Sequence, residues 1–458
     1  MRSLLFKKGR AAVESLLNIR PKGLFGVITF IAAASVAVLC PNGLYAAENA
    51  VTTVTIDEAY RMAIATHESV KIAGEQVIEA GSNVDKATSA ILPHLSAIGN
   101  YTRYSKEISA DGFVIQPLDS TEVDVVLTQP LFHSGVLSAR KQALYLLDKS
   151  KEGLRFSKDT IVITTARAYF DVLKAKKNVN IDIAALKRAR QEEDVAKARF
   201  KVGALTRSGV LRAKAETAGA EADLTSAQTA LTDSKTVLRR LIGESGEIDV
   251  VEPSLPAESS MTFDQLVDTA YAQRHDYRQS ELDKSAAAEG IKVAKGGYWP
   301  SLDLQGLYVN RYQSPEVSFV QAQSLSGAVM LNFPLFEGGL TKAQVSAAKS
   351  EYNQAELASL SLKRDIAVQV REAYERLQAL KATVESFRKQ VSSAQENYDM
   401  VFQQFKFGTS TTVDVIDADT TLISAESSLA SATYDQELAA IELKYNIGTV
   451  MEEVSSGK

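Results

Sequence analysis

The sequence predicts a mainly helical protein that also carries membrane β-strands, built as a duplicated helix, strand, strand, helix unit. Three observations predict it. Similar segments recur about 205 residues apart, one stretch carries an unbroken coiled-coil seam, and short runs next to prolines alternate in hydropathy as strands do.

The chain begins with a basic leader carrying Lys7, Lys8, Arg10, Arg20 and Lys22, followed by an apolar stretch from Gly23 to Leu39. Pro41-Asn42-Gly43 and the small pair Ala46-Ala47 come next, which is the order of a secretory signal. An apolar run of about 17 residues touches the lower limit for a spanning helix. The helix-breaking Pro-Asn-Gly and the alanine pair favour cleavage near Ala46 or Ala47 instead, so residues 1–47 are expected to be a signal peptide. Lipid attachment at Cys40 is disfavoured by the bulky Leu39 before it. Removing residues 1–46 takes six basic residues and Glu14 from totals of 51 and 56, leaving 45 and 55 and a net charge of −10. Such a surface excludes nucleic acid as a partner. The single cysteine leaves with the signal, so the fold must hold by packing without disulfides.

Five anchors define the duplication. Thr55-Ile56-Asp57-Glu58-Ala59 resembles Thr262-Phe263-Asp264-Gln265-Leu266, and Leu92-Pro93-His94-Leu95 resembles Trp299-Pro300-Ser301-Leu302, both at an offset of 207. Gln129-Pro130-Leu131-Phe132 with Gly135 matches Phe333-Pro334-Leu335-Phe336 with Gly339 at 204. Phe200-Lys201-Val202-Gly203 matches Phe405-Lys406-Phe407-Gly408, and Leu241-Ile242-Gly243 matches Asn446-Ile447-Gly448, both at 205. The expected organisation is a first repeat over 48–243, an acidic, proline-containing linker over 244–261, a second repeat over 262–448 and a tail over 449–458.

The helices follow from periodicity. Ile366, Val370, Ala373, Leu377, Leu380, Val384, Phe387, Val391, Ala394, Tyr398, Val401 and Phe405 recur in alternating steps of four and three, a coiled-coil seam. The matching stretch keeps Ile161, Ala168, Val172, Val179, Leu186, Ala196 and Phe200 but places Asp182 and Glu193 in the seam, so looser or wetted packing is expected there. Ser134–Val202 and Gly338–Phe407 would each extend about 105 Å as helices. Ile56–Leu92 and Thr206–Leu241 would each span about 55 Å, so two short helices laid end to end match one long one. The chain should reverse at Gly203 and Gly408, and the linker should lie at the waist.

The strands follow the prolines. Leu95, Ala97, Gly99 and Tyr101 alternate with Ser96, Ile98, Asn100 and Thr102, and Leu302, Leu304, Gly306 and Tyr308 alternate with Ser301, Asp303 and Gln305. The return strands carry Val123, Val125 and Leu127 in one repeat, and Leu325, Gly327, Val329, Leu331 and Phe333 in the other. About ten alternating residues suit a tilted membrane strand. Pro93, Pro130, Pro300 and Pro334 are expected to mark the turns between barrel and helices. Tyr298, Trp299, Phe132 and Phe336 sit where an interfacial aromatic girdle would lie. Four strands cannot close a barrel in lipid, so copies must combine. Two would enclose a filled lumen and three a passage.

Enzyme chemistry finds no footing. His67, His94, His133 and His275 are scattered without metal-ligand spacing, and neither a nucleophile motif nor a cofactor-binding loop is present.

The arrangement resembles the TolC-like outer-membrane efflux protein family, the outer membrane factors of tripartite efflux and type I secretion systems. The resemblance covers residues 55–450. It rests on the Pro-Leu-Phe segments at Pro130 and Pro334, the reversals at Gly203 and Gly408, and Val413-Asp414-Val415-Ile416-Asp417-Ala418. It implies a homotrimer with a twelve-stranded β-barrel in the cell outer membrane, joined to a long coiled-coil α-helical barrel in the periplasm. It further implies a periplasmic adaptor (membrane fusion) protein and an inner-membrane efflux or ABC pump as partners, with cargo passing passively. Where the best-known members hold the lower mouth shut with polar links, this sequence has Lys201, Phe405 and Ser410. Gly203 and Gly408 are the expected adaptor-contacting tips. Asp414 and Asp417 share one helical face, and three chains would converge six carboxylates as a periplasmic aperture. Thr411-x-x-Asp414 also reads as a capping box. The alternative reading is a periplasmic coiled-coil structural or adaptor protein, against which the duplicated strands argue.

Overall fold

In a computed structural model the described residues are 52–253, 261–317 and 319–452. The expected signal peptide, residues 254–260 of the linker and residues 453–458 of the tail lie outside them. The chain runs through one series of elements twice. The first pass comprises β1 (Thr52–Val54), α1 (Ile56–Thr66), α2 (Glu68–Ser89), β2 (His94–Arg103), a small hairpin of β3 (Ile108–Ala110) and β4 (Phe113–Gln116), β5 (Asp119–His133), α3 (Val136–Lys201) and α4 (Arg207–Ile242). The second comprises β6 (Ile248–Val250), α5 (Phe263–Gln273), α6 (His275–Lys295), β7 (Ser301–Ser314), β8 (Gln323–Asn332), α7 (Leu340–Phe407) and α8 (Thr412–Asn446).

Recurring sequence anchors prove to be structural devices. Thr55 and Thr262 cap α1 and α5, and in both a side chain three residues on, Glu58 or Gln265, returns a bond to the cap backbone. The single helix expected over Ile56–Leu92 is two helices. His67 takes an extended conformation (φ −67°, ψ 133°) and its Nδ1 accepts from the Ser69 amide at 3.2 Å, starting α2 afresh. Arg274 is likewise extended (φ −64°, ψ 124°) between α5 and α6, but without a side-chain cap bond, and its ion pair to Asp276 at 2.7 Å holds it there. α2 stops at Ser89, short of Leu92, because the residue before Pro93 is pushed out of the helical region.

The long helices α3 and α7 have 66 and 68 residues, about 100 Å each. Every residue of the seam read in α7 is buried or half-buried. Of the seam read in α3, Ile161, Ala168, Val172, Leu186 and Ala196 are buried and Val179 is half-buried. Ile181, Ala185, Ala189 and Glu192 are buried beside them, whereas Asp182 and Glu193 are half-buried and Phe200 is 46% exposed. α3 packs against α1, α2, α4, α6 and α8, so one heptad stripe cannot describe it.

β2, β5, β7 and β8 form one antiparallel sheet in that order. Its register places Leu95 beside Leu127, Val125 beside Tyr308 and Leu304 beside Val329, so these apolar side chains share one face with Leu325 and Leu331. The opposite face is largely polar and carries the pair Glu122 and Arg311 at 2.7 Å. Leu325, Leu95 and Leu331 are 81, 72 and 67% exposed, a surface unsuited to water. Among the described residues the outer edges of β2 and β8 have no strand partner, and no helix is long and apolar enough to cross a membrane. Phe333, expected on the last strand, falls just beyond β8.

β1 and β6 pair in parallel, joining the start of the first repeat to the described part of the linker. Tyr169, near the middle of α3, donates its hydroxyl to the Val54 and Val251 carbonyls at 3.0 and 2.7 Å. This small sheet closes the largest core cluster, with Tyr60, Phe170 and Ile441 fully buried.

Candidate functional site

The helix reversals far from the sheet concentrate the candidate residues. Each is set by a glycine in the left-handed region, Gly203 at φ +75° and Gly408 at φ +88°. The residue after each glycine donates back into the closing helix, Ala204 to Arg199 at 2.8 Å and Thr409 to Gln404 at 3.0 Å. That wrapped end is the form a helix terminus takes when a glycine follows it. Thr206 and Thr411 then cap the departing helices.

Asp414 is the third residue of α8. The Thr411 amide and hydroxyl donate to its Oδ2 at 2.8 and 2.7 Å, and these bonds hold its carboxyl below the usual carboxylate range. Ser410 also donates to it, at 3.2 Å. Asp417, one turn further, is exposed and its side chain has no hydrogen-bond partner among the described residues. One acid of the expected pair is therefore engaged in capping and the other points free. Their first-repeat counterparts are Gly209 and Arg212.

Lys201, Phe405 and Ser410 do not contact one another through side-chain hydrogen bonds. Lys201 is exposed at the end of α3, and Phe405 is fully buried with Val415, Ala418 and Leu422.

Sequence reasoning missed the charges within this core. Arg188 on α3 pairs with Asp419 on α8 at 2.5 Å, with Glu426 at 3.7 Å. Glu192 accepts the Tyr398 hydroxyl at 3.0 Å and is only 2% exposed. Burial, then the neighbouring Asp419, pushes the Glu192 carboxyl up to about 7. Asp419 is also raised by burial, although Arg188 opposes the shift. Asp182, which was expected in the seam, is raised by burial and by Asp223 on α4. Glu193, half-buried, pairs instead with Lys197 at 2.8 Å, and hydrogen bonds from Lys197 and then Thr217 lower it. The signal was present as Arg188 and Glu192, four apart on one face of α3.

At the sheet end, Pro93 and Pro300 immediately precede β2 and β7, and Pro334 follows β8. Pro130 departs from its expected place in a turn. It lies inside β5, beside a register shift between Pro130 and Phe132 in the β7 ladder, and past Thr128, where the β2 ladder has ended. Both are places where a missing amide is tolerated. Tyr298, Trp299, Phe132 and Phe336 are 52, 60, 46 and 88% exposed around this junction. His133 lies 2.9 Å from Asp303, His275 lies 2.6 Å from Glu152, and His94 is exposed at the start of β2.

The sequence profile of the outer membrane efflux proteins matches residues 59–244 and 266–449. The outer membrane protein TolC of Salmonella enteritidis is 26% identical over 416 residues, covering 86% of this chain and 82% of that protein. The alkaline protease secretion protein AprF of Pseudomonas aeruginosa is 23% identical over 407 residues, with 86 and 82% covered. Among solved structures, the outer membrane protein VceC of Vibrio cholerae superposes with a TM-score of 0.75 at 18% identity, over 86% of this chain and 96% of that one. The open state of the Neisseria gonorrhoeae MtrE outer membrane channel gives 0.71 at 20% identity, over 86 and 89%.

Proposed function

The chain belongs to the outer membrane efflux protein family, and from that premise we propose how it works as an outer-membrane exit duct. The observation that carries the reading is a four-stranded sheet with an apolar face and two open edges, continuous with helices of 66 and 68 residues. Lipid tolerates no open edge, so β2 of one copy pairs with β8 of the next. Three copies give twelve strands around a passage, where two would give eight around a filled lumen.

Below the barrel the helices line a periplasmic tunnel that a periplasmic adaptor meets at the Gly203 and Gly408 tips, with an inner-membrane pump supplying the cargo. The secretion role in the name of AprF and the efflux role of the family support polypeptides and small molecules alike as cargo. The open state described for MtrE supports a mouth of variable width. Asp417, with Asp414 behind it, forms the aperture, and a ring of such acids favours cations. A leader cleaved near Ala46 or Ala47 sends the chain out, and the repeats 48–243 and 262–448 each supply two strands and one helical hairpin, joined through the linker 244–261. The prolines at 93, 300 and 334 and the bulge at Pro130 set the passage from barrel to tunnel.

Native mass measurement of the detergent-purified protein, followed by planar-bilayer recording, tests this reading. A trimer whose barrel migrates in a heat-modifiable way and conducts ions is expected. A stable monomer or dimer, or a rod that stays in the periplasmic fraction, would overturn it in favour of a coiled-coil structural protein.

A further inference from the structure

Inside the protomer β5 pairs with β7, and the helices next to these strands in the chain, α3 and α6, pack against each other. His275 of α6 lies 2.6 Å from Glu152 and 3.9 Å from Asp159 on α3, and Asp283 takes the Lys149 ammonium at 2.6 Å. Between them Gln279 crosses Gly153, where a β-carbon would come within 3.2 Å of its Oε1, and Gly290 lies beside Gln142. α6 also packs along α7, so two of its sides are covered, and His275, Gln279, Asp283 and Gly290 are all half-buried.

α2, the counterpart of α6 in the first repeat, packs along α3 and, among the described residues, along no second long helix. At the offset of 207 the same four positions become Glu68, Ile72, Gln76 and Asn83, and all four are exposed. The matching face of α7 is open as well. The offset of 205, which carries Ile161 to Ile366, carries Glu152, Gly153 and Asp159 to Leu357, Ala358 and Arg364, all exposed. Ile72 and Leu357 are 58 and 65% exposed.

The sheet says what covers these two faces. β2, which α2 precedes, and β8, which leads into α7, are its open edges. Joining β2 of one copy to β8 of the next repeats the β5–β7 pairing, and it sets α2 beside the neighbour's α7 as α6 lies beside α3. Carried across, the internal contact puts Ile72 on Leu357 and Ala358, and Glu68 against Arg364. The charges have exchanged sides: base on α6 and acid on α3 within the protomer, acid on α2 and base on α7 between copies. Lys149 and Asp283 become Gln354 and Gln76, so Glu68 and Arg364 remain as the charged pair. Arg364 has no hydrogen bond or ion pair among the described residues.

We infer that copies associate by repeating the α3–α6 contact, with α2 of one copy on α7 of the next, Ile72 seated on Leu357 and Ala358, and Glu68 paired with Arg364 across the interface. The inference rests on the exit-duct reading, which brings β2 to β8, and adds the helix faces and their register. The exchanged charges also make the surface selective. An α2 that strayed into the α6 seat would set Glu68 against Glu152 and Asp159, three acids together, so the outer face does not compete with the inner one.

The test uses the full-length protein. Oxidation of a variant carrying Ile72→Cys and Ala358→Cys should give disulfide-linked dimers and trimers on a non-reducing gel, because within one chain α3 and α6 separate α2 from α7. Ile72→Cys with Asp365→Cys, two turns along the same face, should link far less. Glu68→Arg and Arg364→Glu each bring like charges together and should speed dissociation of the purified trimer on the order of tenfold, and the double reversal should restore most of the loss. If a single reversal does not assemble, the cysteine pair carries the test in the native charge background. A trimer by native mass without the 72–358 link, or with 72 linked equally well to 365, would overturn the register. Failure of the double reversal to rescue would overturn the charged pair. A protein that is monomeric by native mass would remove the duct reading together with the interface.

Discussion

The two reversals share a backbone and differ in what surrounds it. At the second, Phe405 is fully buried and its core carries Tyr398, Phe402 and Leu422. At the first, the equivalent Phe200 is 46% exposed, and the neighbouring turns of α3 put Arg188 and Glu192 into the core instead. The duplication thus retains what shapes the chain, a left-handed glycine and a capping threonine, and lets the packing diverge. The second hairpin supplies most of the aromatic core, and charges from both, Arg188 and Glu192 on α3 with Asp419 on α8, tie the two together.

The largest test of that contrast removes the two phenylalanines in turn. Phe405→Ala should destabilise the tip bundle by about 3–5 kcal/mol, and Phe200→Ala by well under half as much, since an exposed ring leaves little cavity. Hydrogen exchange along α7 and α8 reports the difference, and equal effects would erase the distinction between the tips.

Next in size is the buried acid. Glu192 has a folded value of about 7 against an ordinary value of 4.5. Because the folded state binds the proton more tightly, stability from this group is fully present below about 4.5 and is lost as pH rises toward 7. The groups facing it are Arg188 on α3, Glu216 on α4, Tyr398 on α7 and Asp419 on α8, with Glu426 beyond. The tip bundle should therefore loosen on the order of 2 kcal/mol between pH 5 and pH 8. Glu192→Gln should flatten that slope, and an unchanged slope in this variant would assign it to other groups.

Valine at each glycine comes third, since a β-carbon in the left-handed region costs about 1–2 kcal/mol. At Gly203 a β-carbon meets open space, whereas at Gly408 it also meets Arg199 Nη2 at 3.4 Å. Gly408→Val should therefore weaken adaptor cross-linking and export more than Gly203→Val, with trimer assembly intact in both. Undiminished adaptor capture by both would reduce the glycines to helix stops.

The smallest effect on stability belongs to Asp417→Asn, whose exposed carboxylate supports nothing in the fold. Its effect should lie in function alone, as weaker cation selectivity and weaker block by a trivalent cation in single-channel recordings. Asp414→Asn should instead weaken the α8 capping box, because the Thr411 amide and hydroxyl then bond to a neutral acceptor. If Asp417→Asn leaves selectivity and block untouched, the aperture lies elsewhere.

Local grammar made much of the protein readable. Alternation in β2, β5, β7 and β8, the apolar seam of α7, the threonine caps and the left-handed glycines each act within a few residues, so each leaves a periodic or positional trace. The duplication was readable for the same reason, because the anchors are the residues that shape turns. Pro130 was misplaced because a proline in a turn and a proline at a strand bulge look alike without the partner strand. The break at His67 was invisible because its side chain acts as a cap only once the backbone has turned.

Only the tertiary structure decided that α3 buries Ile181, Ala185, Ala189 and Glu192 beside its seam, that β1 pairs with β6, and that Arg199 reaches the second tip. Residues 199 and 405 are 206 apart, and β1 and β6 meet across nearly 200 residues of chain. Such contacts follow from where long helices come to lie beside one another. A helix packed against several others buries more than one stripe, so its own periodicity cannot name every position that stays dry.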